Sequence, residues 1–250
     1  GYTVARLRAM GNRLLDESAY QRILDSEDLE SALKVLGETV YSSWIVDLKS
    51  SRDFDQAIEA ELLHVYSEIE KFVPDKCLVE VCRLPYDFHN IKVLIKSHIL
   101  QKEGKDRRFN LLTPLGNIPK DDLIMAVESE DYRLLPYGLH TVLPGSLALW
   151  EQTKDILEVE KDLDNQQYAL ILRMVVETGI ASAIAWAKAK IDAENLRNGV
   201  RLRRVGMDVS SAASYFHDGG FISKERLLAL LPEPLEGWAK LICFADAGVL

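Results

Sequence analysis

Two pairs of aspartates lie close enough in the sequence to suggest metal-dependent or acid–base chemistry. Asp121 and Asp122 match the start of D-D-x-x-D, with which helical prenyl-diphosphate enzymes hold magnesium, but Met125 occupies the fifth position. Acidic residues in the first turn of a helix, where the helix dipole favours them, explain this pair more simply. Asp162 and Asp164 are two residues apart, which places them on different faces of a helix. We therefore expect the second pair to lie in a loop or at a helix entry.

The sequence also gives little support for a metal site or a nucleotide-binding site. Cys77, Cys82 and His89 could be taken as a metal trio, but zinc sites use tighter cysteine spacing and four ligands, so two ordinary thiols near a helix are expected instead. The sequence contains no G-x-x-x-x-G-K-S/T loop, no G-x-G-x-x-G and no H-E-x-x-H. We predict no catalytic residue, no metal and no cofactor.

Composition narrows the classes of partner and of fold. The chain has 250 residues, with 30 Lys and Arg against 39 Asp and Glu, which gives a formal net charge of −9. Proteins that neutralise many phosphates carry an excess of positive charge, so nucleic acid is not expected as a partner. The chain contains only 14 Gly and 8 Pro, and scarcity of these helix breakers favours helices.

The elements that must position any site are predicted to be helices. Apolar residues recur at three- and four-residue steps in three stretches: 29–36, 58–72, and 171–180 running on through the Ala-rich 181–189. The first of these follows the acidic segment 25–28, which suits a helix N-terminus. Strand-like alternation is nearly absent, and 78–81 is the one tempting segment. The sequence predicts an all-α fold.

Internal similarity is the most informative feature of the sequence. The segment 116–124 (GNIPKDDLI) matches 220–228 (GFISKERLL): each has a glycine turn, an apolar residue, and Pro or Ser where a helix starts. About 25 residues before each glycine a second pair matches, Asn90-Ile91-Lys92 with Lys96 and Asn195-Leu196-Arg197 with Arg201. A fainter third copy lies at 24–29, after a basic helix that carries Arg6 and Arg8.

These matches predict three related helical units. We place them at residues 1–84, 85–190 and 191–250, and we expect the third to be incomplete because little sequence follows its second helix start. Arg197, Arg201 and Arg204 share one helical face in the third unit. That face is either solvated or in contact with an acidic partner, and the matching Lys92 and Lys96 favour the contact.

The segment 85–92 (PYDFHNIK) closely resembles the P-Y-D-x-x-N-I/L-K signature of the C subunit of archaeal and bacterial V-type (A-type) ATP synthases, whose eukaryotic counterpart is the V-ATPase d subunit. Four further segments are similar to this family: the opening helix 2–15, Thr39-x-Tyr41, Asp164-x-x-x-Tyr168, and 191–196 (IDAENL). The resemblance therefore spans nearly the whole chain.

This resemblance implies a non-catalytic central-stalk rotor subunit, a funnel of three similar helical domains. Its partners would be the shaft subunits D and F and the membrane rotor ring, with the membrane stator subunit as a further contact. It would lie peripherally on the cytoplasmic face of the membrane, in a complex that couples ATP synthesis or hydrolysis to transport of protons or sodium ions. The candidate partner-binding residues are Arg6, Arg8, Lys92, Lys96, Arg197, Arg201 and Arg204; the structural-motif residues are Pro85, Tyr86, Asp87, Asn90, Asp192 and Asn195.

Two points stay open on the sequence alone. A generic helical-repeat scaffold would share the repeats but has no reason to carry the 85–92 motif, and an all-α enzyme would need carboxylates or histidines converging on one pocket. Within the motif, we expect Asp87 and Asn90 to cap or fix the start of their own helix rather than to touch a partner.

Overall fold

The computed structural model describes residues 1–48, 50 and 53–243. This part of the chain is built from thirteen α-helices and contains no β-strand, which confirms the all-α prediction. The helices are α1 (Tyr2–Gly11), α2 (Glu17–Leu24), α3 (Leu29–Leu36), α4 (Ser42–Val46), α5 (Phe54–Glu70), α6 (Cys77–Lys102), α7 (Lys120–Glu128), α8 (Leu139–Thr153), α9 (Ile156–Thr178), α10 (Ala181–Arg204), α11 (Val209–Ala212), α12 (Lys224–Leu230) and α13 (Leu235–Cys243).

Side-chain caps fix several helix starts where the sequence predicts them. Asp28 precedes α3, and its Oδ1 accepts a hydrogen bond from the Ser31 amide at 2.8 Å. Helix α7 begins directly after Pro119, and α12 begins after Ser223, whose hydroxyl accepts from the Arg226 amide. Both of the predicted glycine-turn helix starts are therefore confirmed.

Helix α6 passes through two segments for which the sequence suggested something else. The alternating residues 78–81 are helical, and Pro85 lies inside the helix rather than at its start. A proline inside a helix removes one backbone hydrogen bond. This 26-residue helix nevertheless continues on both sides of Pro85. Asp87 is consequently ten residues past the start of its helix and cannot be its N-cap.

Two further expectations are corrected by helix α9. The apolar stripe from residue 171 does not run on as one helix: α9 ends at Thr178, the next residue, Gly179, has a left-handed φ of 67°, and α10 then begins at Ala181. Glycine adopts this conformation without the steric cost that other residues meet. Asp162 and Asp164 lie inside α9, not in a loop, because the helix starts earlier, at Ile156 after the capping carboxylate of Asp155.

The described chain forms two compact units. The first comprises residues 1–80 with 113–115, and the second comprises 81–112 with 116–250, of which the described part ends at 243. The first unit contains α1 to α5 and the first residues of α6. Its apolar core is small: α1 buries no residue, α3 buries Leu33 and Val35, and α5 buries Ala57.

The second unit contains the larger core. The long helices α6, α9 and α10 contribute fully buried side chains that include Phe88, Ile91, Leu163, Ile171 and Ile191. A second cluster forms where the end of α10 meets α11, α12 and α13; its members are Leu202, Ala212, Phe216, Ile222, Leu227, Leu230, Leu231 and Trp238.

Helix α6 runs without a break across the predicted repeat boundary at residue 84, and helix α10 runs without a break across the one at residue 190. The division into three sequence repeats stays a prediction, and part of the third repeat, residues 244–250, lies outside the described residues. No helix among the described residues is both long and apolar enough to cross a membrane.

Candidate partner-binding surface and its supporting motifs

Asp87 joins α6 to the turn that precedes α7. Its carboxylate is fully buried; Oδ2 accepts hydrogen bonds from the backbone and side-chain nitrogens of Asn117 at 3.0 and 2.8 Å, and Oδ1 accepts from the Ile118 amide at 3.0 Å. Burial raises the pKa of Asp87, and the hydrogen bonds from Ile118 and Asn117 oppose that rise. Asp87 therefore fixes the start of α7, which corrects the expectation that it caps its own helix.

Asp192 makes the same connection in the second half of the chain. From the middle of α10 its two carboxylate oxygens accept hydrogen bonds from the amides of Phe221 and Ile222, at 2.9 and 3.1 Å. These two residues lead into α12. The predicted correspondence of the loop at 116 with that at 220 is thus present as a shared hydrogen-bond arrangement, whose acceptors, Asp87 and Asp192, each lie three residues before a matched asparagine. We call each arrangement a carboxylate clip.

Each clip depends on a glycine. A Cβ added to Gly116 would lie closer than 3.0 Å to Oδ1 of Asp87, and a Cβ added to Gly220 would lie closer than 3.0 Å to Oδ1 of Asp192. Neither glycine has a positive φ, so the requirement is one of space and not of backbone conformation. The sequence repeat preserves glycine at the two places where a carboxylate approaches the backbone.

The asparagines of the repeated motif are buried beside the clips. Asn90 and Asn195 are both fully buried. Asn195 holds the loop before α12, since its Nδ2 donates to the His217 carbonyl at 2.9 Å and its Oδ1 accepts from the His217 amide at 2.7 Å. The remaining motif residues, Pro85 and Tyr86, are partly buried within α6. Asp87, Asp192 and Asn195 thus hold helices to loops. Asn90 lies thirteen residues past the start of α6, so the expectation that it caps its own helix is wrong, as it is for Asp87.

His217 is a buried residue that the sequence did not single out. Its Nδ1 lies 2.7 Å from Oδ1 of Asn165, and its ring packs against Tyr168 with centroids 4.5 Å apart. Burial lowers the pKa of His217, partly offset by the nearby carboxylates of Asp164 and Glu194. Burial likewise raises the pKa of Tyr168 to about 12, with Glu194 and Asp164 adding to the rise.

Lys92 and Lys96, two candidate partner-binding residues, form ion pairs within the chain. Lys92 Nζ lies 2.5 Å from Oδ1 of Asp164, and Lys96 Nζ lies 2.5 Å from Oε1 of Glu160. These pairs join α6 to α9 across 64 to 72 residues of sequence, so local spacing gave no indication that Glu160 and Asp164 face the two lysines.

The arginines of α10 are differently placed. Arg197 contacts Glu194 one turn away on the same helix. Arg201 and Arg204 are exposed, and within the described residues neither side chain forms a hydrogen bond or an ion pair. Arg201 lines a groove of about 310 Å³ together with Lys92, Leu157 and Tyr215. The basic face of α10 therefore retains cationic groups without a carboxylate.

Arg6 and Arg8 lie on α1 in the first unit. Arg6 bonds Glu68 at 3.2 Å and covers the ring of Phe72, whereas Arg8 is exposed without a side-chain partner among the described residues. A groove of about 730 Å³ opens between α1, α2 and α5, lined chiefly by apolar residues such as Leu14 and Leu62. The first unit thus carries its own cationic helix face beside an apolar groove.

Residues that could hold a metal do not converge in the described structure. Among residues 1–48, 50 and 53–243, no three His, Cys, Asp or Glu side chains form a group suited to a metal ion. Cys77, Cys82 and His89 lie along α6, where His89 Nε2 is 3.0 Å from the Leu111 carbonyl. Asp121 and Asp122 occupy the first turn of α7, where the helix dipole favours acidic residues.

Comparison with known proteins gives one consistent result. Residues 3–248 match the family described as ATP synthase (C/AC39) subunit. The C subunit of the A-type ATP synthase of Methanocaldococcus jannaschii is 25% identical over 86% of this chain and 57% of its own length. The proteins of the same name from Methanosphaera stadtmanae and Methanosarcina mazei are 25% and 24% identical, over 88% and 92% of this chain and 58% and 66% of their own lengths. The chain thus spans roughly three fifths of these relatives.

Proposed function

Because the chain belongs to the ATP synthase (C/AC39) subunit family, we propose that it acts as a non-catalytic central-stalk subunit of a V/A-type rotary ATPase. In this role it connects the shaft formed by subunits D and F to the membrane rotor ring. The observation that carries the proposal is the extent of the family match, which covers residues 3–248 and both carboxylate clips.

The second unit has the rigidity that such a connector needs. A part that transmits torque must resist bending, which rigid packing and internally satisfied polar groups provide. The clips supply this property, because Asp87 and Asp192 each hold a helix start to the middle of a long helix with bonds of 2.8–3.1 Å. A connector needs neither a nucleophile nor a metal, since shape and charge complementarity provide its contacts.

We further propose that basic helix faces make the contacts with shaft and ring. On α1 these residues are Arg6 and Arg8, and in the second unit they are Arg197, Arg201 and Arg204, together with Lys92 and Lys96, which would have to share or exchange their ion pairs with Asp164 and Glu160. Exposed charges of this kind govern the rate and the salt dependence of association more than its final strength. Such a subunit would lie peripherally on the cytoplasmic face of the membrane, with the rotor ring beneath it and the stator subunit as a further neighbour.

A bridging assay tests this role directly. Detergent-solubilised rotor ring is immobilised, and labelled D–F shaft is added with or without the 250-residue chain. We expect the shaft to be retained only when the chain is present, and to be released as the salt concentration rises. Retention of equal amounts of shaft without the chain, or failure of the chain to bind either component at low salt, would overturn the proposal.

A further inference from the structure

The loops of the two carboxylate clips differ at the residue three positions before the glycine. In the first loop this residue is Thr113, before Gly116, and in the second it is His217, before Gly220. Both loops are held by a buried aspartate that accepts hydrogen bonds from two successive backbone amides. A threonine hydroxyl keeps its charge state at any ordinary pH, whereas an imidazole changes its charge near neutrality. The second loop therefore carries a proton-binding group where the first has none.

The imidazole of His217 is buried and fixed to α9. The residue is 5% exposed, its Nδ1 lies 2.7 Å from Oδ1 of Asn165, and its ring packs on Tyr168. Asn195 of α10 binds both the amide and the carbonyl of the His217 backbone. Because the amide oxygen of Asn165 only accepts hydrogen bonds, Nδ1 carries the proton of the neutral ring. A further proton must therefore go to Nε2.

Among the described residues, each carboxylate that faces His217 already pairs with a lysine or an arginine. The four pairs are Asp164 with Lys92, Glu160 with Lys96, Glu194 with Arg197, and Asp218 with Lys224. The groove of about 310 Å³ beside the ring adds Lys161, Arg201 and Tyr215. Burial lowers the pKa of His217; Asp164 and Glu194 oppose this effect, and Lys224 and Lys92 reinforce it. An imidazolium at this place would thus be buried among paired carboxylates.

We propose that residues 216–222 form an acid-sensitive latch: a proton taken up at Nε2 of His217 releases this loop from α9 and frees the start of α12. Phe216 and Ile222, the two ends of the latch, both belong to the second apolar cluster, where α12 packs on the end of α10. Release of the latch therefore loosens α12. The latch does not depend on the proposed rotary role, because its parts all lie within the second unit.

The latch should open more often as the pH falls below 6.5, the ordinary pKa that His217 regains when the loop is open. The closed latch disfavours the added proton and the open latch accepts it, so the equilibrium constant for opening rises on acidification. From about pH 7.5 to about pH 5.8 we expect it to rise about three- to fivefold. The first clip has no imidazole at this position, so its loop should not follow the same dependence.

Hydrogen exchange at two isoleucine amides tests the latch. The amides of Ile118 and Ile222 each donate to one clip carboxylate, at 3.0 and 3.1 Å. The 250-residue chain labelled with nitrogen-15 isoleucine therefore supplies one probe for each clip in a single NMR spectrum. After correction for the intrinsic exchange rate at each pH, the protection of Ile222 should fall about three- to fivefold on acidification. Ile118 should show no such fall.

Two substitutions assign the effect to the imidazole. His217→Thr introduces the residue type that the first loop has at 113, and His217→Gln is the second variant. In both, the protection of Ile222 should change less than about 1.5-fold over the same pH range, since neither side chain titrates there. His140→Gln, which replaces an exposed histidine of α8, is the control and should keep the full pH dependence.

Three results would overturn the latch. Equal loss of protection at Ile118 and Ile222 would show that acid opens the whole second unit. Protection of Ile222 that stays constant between the two pH values would show that the loop does not respond to protons. A fall in both His217 variants as large as in the unaltered chain would assign the response to another group. The comparison of Ile118 with Ile222 needs no substitution, so it decides the matter even where a variant fails to fold.

Discussion

The carboxylate of Asp192 occupies the space that a side chain at residue 220 would need. A Cβ on Gly220 would come closer than 3.0 Å to both Oδ1 and Cγ of Asp192. The carboxylate cannot move away without breaking the hydrogen bonds that it accepts from the amides of Phe221 and Ile222, at 2.9 and 3.1 Å. Asp87 and Gly116 stand in the same relationship, so a repeated sequence motif corresponds to a repeated steric and hydrogen-bonding requirement.

Gly220→Ala should therefore destabilise the protein substantially. We expect a loss of about 2–4 kcal/mol in the free energy of unfolding, from overpacking and the displaced carboxylate hydrogen bonds. Urea denaturation followed by circular dichroism measures it. Gly145→Ala in α8 is the matched control, because a Cβ there meets nothing within 4 Å and should stabilise the helix by about 0.5–1 kcal/mol. Similar effects of the two substitutions would contradict the steric role of Asp192.

Asp192→Asn should break one clip while leaving the size of the side chain at residue 192 unchanged. An amide group turns one acceptor oxygen into a donor, which then faces a backbone N–H, so we expect a loss of about 1–3 kcal/mol. Asp87→Asn should behave alike because its environment is equivalent. Asp162→Asn is the control, since Asp162 accepts a side-chain bond from Gln166 on its own helix at 2.5 Å, and it should cost under about 0.5 kcal/mol.

The ion pair between Lys92 and Asp164 should make a modest contribution to stability. The two side chains are 25% and 37% exposed, so solvent screens their attraction. A double-mutant cycle with Lys92→Met and Asp164→Asn should give a coupling energy of about 0.5–1 kcal/mol. The exposed pair Lys34 and Glu30, 3.9 Å apart, should give about 0.3 kcal/mol or less in the same experiment. A coupling near zero for the first pair would show that it does not hold α6 to α9.

Stability should fall as the pH drops below neutrality because of His217. Burial lowers the pKa of His217 in the folded chain below the ordinary value of 6.5, opposed by Asp164 and Glu194 and reinforced by Lys224 and Lys92. The unfolded chain then binds more protons, so this contribution to stability is present above pH 6.5 and is lost as the pH falls toward the folded pKa.

Denaturation midpoints measured between about pH 8 and pH 5 test this dependence. His217→Gln should reduce the loss seen on acidification and leave a smaller remainder from His98, whose pKa burial also lowers. An unchanged pH dependence of stability in the His217→Gln variant would rule out titration of His217 as its cause. The variant's lower stability at every pH, from the lost packing on Tyr168, does not affect this comparison.

The sequence predicted those features that local patterns determine. Helical periodicity and the shortage of breakers indicated the all-α fold, and the paired glycine turns located the starts of α7 and α12. The role expected of Asp87 was wrong because proline normally marks a helix start, whereas here α6 begins eight residues before Pro85. Contacts such as Lys92 with Asp164 and His217 with Asn165 join residues more than 50 apart, and no local spacing encodes such pairs.

The central claim, that the chain couples the shaft to the ring, is tested most directly by comparing pumping with hydrolysis. The complex is assembled in sealed vesicles with and without this subunit, and ATP hydrolysis and ATP-driven ion uptake are measured in the same preparation. Coupling predicts that hydrolysis by the head continues without the subunit while ion uptake ceases, and that adding the subunit back restores uptake. Ion uptake that continues at an unchanged rate without the subunit would contradict the claim.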